Sequence, residues 1–72
     1  MATPRQRLIE HAAGILSDHN QHYPPIEPGT VKMNELIEGA ASDLGGDVLD
    51  YYMGANDRAY DRLETAIVRE AT

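Results

Sequence analysis

The sequence predicts an all-α fold, and three observations carry that expectation. Apolar residues recur at three- and four-residue spacing in three stretches of the chain, which is the pattern of a helix with one buried face. Each stretch opens on a residue type that caps helices, Thr3, Thr30 or Asn56. No stretch shows the β-branched, alternating pattern of a strand.

The first helix is predicted from Pro4 to about Asn20. Thr3 is its N-cap, Pro4 stands at the first helical position and Gln6 is placed to close a capping box. Leu8, Ala12, Ile15 and Leu16, with Ile9 and Ala13 beside them, make its buried face. The following segment, HYPPIEPGT, has three prolines within five positions. It cannot be helical and should be an extended, polyproline-like loop. Its apolar residues are Tyr23 and Ile26. The plainer expectation packs them back onto the helices. The functional one makes the loop a recognition element, because backbone stiffened beforehand loses less entropy on binding.

Thr30 caps the next helix. Met33, Leu36, Ile37, Ala40, Leu44, Val48, Leu49 and Tyr52 keep helical spacing straight through Gly45-Gly46, although each glycine costs about 1 kcal/mol in a helix interior. Either the helix breaks there or small residues serve close packing; one long central helix, Val31 to Met53, is the expectation, about 35 Å in length. Two shorter helices cannot cover it. Gly39, Ser42 and Gly46 fall at i, i+3 and i+7 on it, a stripe of small residues that would let a second copy approach closely. A homodimer is the expectation that follows. Gly54 ends this helix, and Asn56 caps a third whose apolar face is Ala59, Tyr60, Leu63, Ala66 and Ile67.

The 72 residues form one small domain. A chain of this length is marginally stable by itself, which again favours a partner. There is no cysteine, hence no disulfide and no thiolate metal site. Charges interrupt the N-terminal apolar stretch, so no signal peptide is expected, and no apolar run reaches the roughly 20 residues that cross a bilayer. The arginine- and alanine-rich composition suggests a bacterium or its phage, and the cytoplasm of a bacterial host is the expected location. Twelve acids stand against six bases, a net charge of −6. That disfavours direct nucleic-acid binding and suits a partner with a basic surface.

Asp43-Leu44-Gly45-Gly46-Asp47-Val48-Leu49-Asp50 resembles the segment in which acyl carrier proteins hold their prosthetic group, Asp-Leu-Gly-Ala-Asp-Ser-Leu-Asp. The resemblance covers eight residues. Val48 stands where the carrier serine would be, and it has no hydroxyl to form the phosphodiester with phosphopantetheine. In carriers the motif also opens a helix after a loop, whereas Met33 to Leu44 already reads as helix. The likeness is read as coincidental, and no cofactor is expected.

Asp43, Asp47 and Asp50 lie at i, i+4 and i+7 of the expected central helix, an acidic face that is either simply solvated or a contact for a basic surface. A straight helix cannot wrap oxygens around calcium. His11, His19 and His22 specify no complete metal set, since zinc wants four ligands. There is no nucleophile elbow, phosphate loop or HExxH, so no enzyme is expected. Tyr51 and Tyr52 point about 100° apart on a helix, so either one packs while the other is partly exposed as an interface residue, or the two cover a small core from either side.

The function expected from these features is a non-enzymatic protein-interaction module. It would be a small inhibitor of the phage or mobile-element kind that blocks a host DNA-binding or nucleotide-binding factor, such as a transcription activator or a CRISPR effector. Tyr23, Ile26, Asp43, Asp47, Asp50 and Tyr51 are the expected contact residues. The rival is a small helical DNA-binding regulator using Arg58, Arg62 and Arg69.

Overall fold

The computed structural model describes residues 2–72. These residues form four helices and no strand: α1 (Pro4–His22), α2 (Val31–Leu44), α3 (Gly46–Gly54) and α4 (Asp57–Ala71). The all-α class holds. The count of three does not, because the expected central helix is two helices.

The break falls at Gly45. Its φ of 62° and ψ of −162° lie in a region that only glycine occupies without strain. Its N–H donates to Ala41 O at 2.8 Å and closes α2, and its own carbonyl accepts from the N–H groups of Val48 and Leu49 to start α3. Gly46 follows with φ 51°. The carrier-like segment thus does open a helix, contrary to the reading of Met33 to Leu44 as running on. Val48 is fully buried, however, and still lacks the hydroxyl.

The capping residues act as expected. Thr3 Oγ1 accepts from Gln6 N–H, Thr30 Oγ1 from Met33 N–H and Asn56 Oδ1 from Ala59 N–H, each satisfying one of the orphan donors of a first helical turn. Helix α1 runs past Asn20 to His22, two residues beyond its expected end. Pro24 and Pro25 then exclude further helix.

Helix α1 is the hub and packs against the other three, while α2 packs also against α3. Leu8, Leu16, Met33, Ile37, Val48, Leu63 and Ile67 are fully or almost fully buried between them. The radius of gyration is 11.2 Å, the value of about 11 Å that a compact single chain of this length should have. The break produces this economy. Helices of 14 and 9 residues are about 21 and 14 Å long, short enough for α1 to cover both. The uncovered helix of about 35 Å that most favoured a homodimer is absent. The small-residue stripe is interrupted too: Gly39 and Ser42 are exposed on α2, while Gly46 belongs to α3.

Candidate functional site

The segment between α1 and α2 is tied down at both ends and at its turn. The His19 and Tyr23 rings stack with centroids 5.0 Å apart. Thr30 Oγ1 donates to Glu27 O at 2.8 Å. Gly29 N–H donates to Glu64 Oε1 on α4 at 3.0 Å. The two expectations for the loop's apolar residues divide here. Ile26 is half-buried against the core, whereas Tyr23 is 63% exposed. Between them lies a groove of about 350 Å³ with His19, Pro24, Thr30 and Lys32 on its walls. An exposed aromatic held on stiff backbone has already lost the freedom that binding would otherwise cost it.

The acidic residues form a corner instead of a stripe. Asp43 lies in the last turn of α2 and Asp47 in the first turn of α3, on either side of the break. Each meets a base one turn apart on α1: Arg7 Nη1 donates to Asp47 Oδ1 at 3.0 Å, and His11 Nε2 lies 3.4 Å from Asp43 Oδ2. Exposed pairs of this kind contribute only about 0–1 kcal/mol each, but their placement matches the corner to α1. Asp50 is exposed and forms no ion pair among the described residues. Tyr51 and Tyr52 are both half-buried against the core, and the strongly exposed side chain of this stretch is Met53, at 75%. Of the six expected contact residues, the structure joins Tyr23 with Ile26 and Asp43 with Asp47, and it does not gather all six at one place.

Sequence reasoning missed Glu64. It is 8% exposed, the one buried charged residue among those described. Tyr60, Leu63, Glu64 and Ile67 stand at i, i+3, i+4 and i+7, so a carboxylate occupies one position of an apolar stripe, and that signal was available in the sequence. Glu64, Tyr60 and Asp61 on α4 face Gly29, Thr30 and Asn34 across a cleft of about 430 Å³. Asn34 Oδ1 accepts from Tyr52 Oη at 3.1 Å, and the Tyr52 and Tyr60 rings meet edge to face at 6.4 Å.

Burial first, and then the negative charge of Glu64, push the Tyr60 hydroxyl pKa from 10 up to about 12. Burial also raises Tyr52, with Glu38 adding to it. Tyr60 thus holds its proton more firmly folded than unfolded. Its contribution to stability is whole below pH 10 and is lost as pH climbs from 10 towards 12. Urea unfolding followed across that window should show a steeper decline for the wild-type chain than for Tyr60→Phe. Parallel declines would contradict this.

Arg62 and Arg69 line a notch of about 290 Å³ between α1 and α4, where the third arginine is Arg5 and not Arg58. His22 Nε2 lies 4.0 Å from Asp18 Oδ1. Among the described residues, no group of three or more His, Cys, Asp or Glu could hold a metal ion, and no helix is long and apolar enough to cross a membrane. No protein-family model matches the chain, and no curated protein or solved structure matches it either.

Proposed function

We propose that this chain is a non-enzymatic protein-interaction module that covers a functional surface of a larger protein with a basic surface. The mode of action is that of the small phage and mobile-element inhibitors that block a host DNA-binding or nucleotide-binding factor. The observation that supports this reading best is Tyr23, 63% exposed on the proline-stiffened segment beside its groove. Tyrosine in such a setting is a frequent interface anchor. The charge of −6 supplies long-range attraction to a basic partner and acts mainly on the association rate. Asp50, one turn further along α3, forms no ion pair among the described residues, while Asp43 and Asp47 also serve to hold the corner against α1.

The test uses immobilised wild-type and Tyr23→Ala chains against a bacterial lysate, with quantitative mass spectrometry of what each retains. A protein held by the wild type should be lost with the variant. Against that purified protein, Tyr23→Ala should speed dissociation by an amount worth about 2 kcal/mol. Identical sets captured by both chains would overturn the assignment.

The DNA-binding reading is favoured by one observation, the convergence of Arg5, Arg62 and Arg69, none of which forms an ion pair among the described residues. The excess of acids opposes it. A salt-dependent shift of duplex DNA that is lost in Arg62→Ala/Arg69→Ala would move the assignment there.

A further inference from the structure

The cleft between α4 and the start of α2 has polar groups that the fold does not use. Its two charged residues, Asp61 and Glu64, are both acids, and no base lines it. Glu64 is more than nine-tenths buried. Its Oε1 accepts the Gly29 N–H, its Oε2 meets no hydrogen-bond partner in good geometry among the described residues, and the buried Tyr60 hydroxyl makes only a loose contact with this carboxylate. Buried carboxylate oxygens are stabilised by a charged donor. A metal ion would lack ligands here, since only two acidic groups line the cleft and no metal-holding cluster occurs among the described residues. A guanidinium suits the site better, because its planar fork of five N–H groups can meet several separated acceptors at once.

We propose that this cleft receives the guanidinium head of an arginine from a basic protein partner, with Glu64 Oε2 and Tyr60 Oη as inner acceptors and Asp61 at the mouth. The inference rests on the proposed partner being basic, and it names the group by which that partner is read. Both inner oxygens expose almost no surface, so entry requires the Tyr60 side chain to turn aside. Its hydroxyl is held only by a loose contact with the Glu64 carboxylate, which the incoming guanidinium would replace.

The experiment is a titration of the isotope-labelled full chain with N-acetyl-arginine amide, followed by amide NMR shifts, with N-acetyl-lysine amide as comparison. Saturable shifts concentrated at Gly29, Thr30, Asn34 and Tyr60 are expected, with lysine amide clearly weaker. Glu64→Gln, checked for unchanged helical content by circular dichroism, should weaken arginine amide by about tenfold, the usual size for loss of a charged acceptor. Should that variant unfold, Asp61→Asn decides: Asp61 is exposed, and its loss should weaken the probe severalfold. Shifts that do not saturate, that follow the surface acids in general, that are equal for lysine amide, or that survive the deciding variant unchanged would overturn the proposal. Tyr23→Ala should leave the titration unaltered, which separates this site from the loop reading. An inert cleft alongside a Tyr23-dependent complex would sink the cleft alone. A working cleft without such a complex would retire the loop alone.

Discussion

Val48→Ser should lower the stability of the folded chain by about 2–4 kcal/mol. The substitution restores the carrier serine, with Gly46 still in place of the motif's alanine, and it is the change that the resemblance to acyl carrier proteins would ask for. Val48 is fully buried in the shared core, on the helix that closes over α1. Serine there removes two methyl groups from a packed interior and buries a hydroxyl among apolar neighbours. Domains are stable by about 0.05–0.15 kcal/mol per residue, so the loss is a large part of what holds 72 residues together. Chemical denaturation with an unchanged m-value measures it. A variant as stable as the wild type, with a serine open to modification, would mean that this position faces solvent and that the segment is a carrier helix after all.

Gly45→Ala should cost about 1–3 kcal/mol, the usual strain of a side chain in a glycine-only region. The cost is conformational and not a clash. A Cβ at Gly45 would have Ser42 O at 3.9 Å as its nearest neighbour, an ordinary contact, but the φ of +62° leaves an L-residue strained. Gly39→Ala is the matched control. Gly39 sits in the interior of α2 with nothing within 4 Å of an added Cβ, so alanine there should stabilise by roughly 0.5–1 kcal/mol. Opposite signs at two glycines six residues apart are what a break at Gly45 requires. A continuous helix would be stabilised by alanine at both.

The same two glycines explain where the sequence could be read and where it misled. The caps at Thr3, Thr30 and Asn56, the proline segment and the apolar faces were legible because each is set by local chemistry. Gly45-Gly46 marked a possible break, and the helical spacing that Leu44, Val48, Leu49 and Tyr52 keep across it argued against one. Spacing records which residues are buried, and a glycine corner can bury the same residues against another helix. Once the corner turns, the acidic stripe becomes two residues facing Arg7 and His11, and the long helix that favoured a second copy is gone. Ile26 and Tyr23 could not be told apart in the sequence, because which of them packs depends on how the loop lies across the core. The Glu64 cleft was open to inference from its place in the stripe of α4. Its partner Gly29 was not, since a backbone N–H from 35 residues away leaves no mark in composition or period.

The most direct test of this arrangement is the set of backbone carbon chemical shifts from Val31 to Met53 in the free protein. The account predicts helical shifts through Leu44, a non-helical Gly45 with positive φ, and helical shifts again from Asp47. Unbroken helical shifts across Gly45 would contradict it, restoring a helix of about 35 Å and with it the continuous acidic face and the case for a dimer.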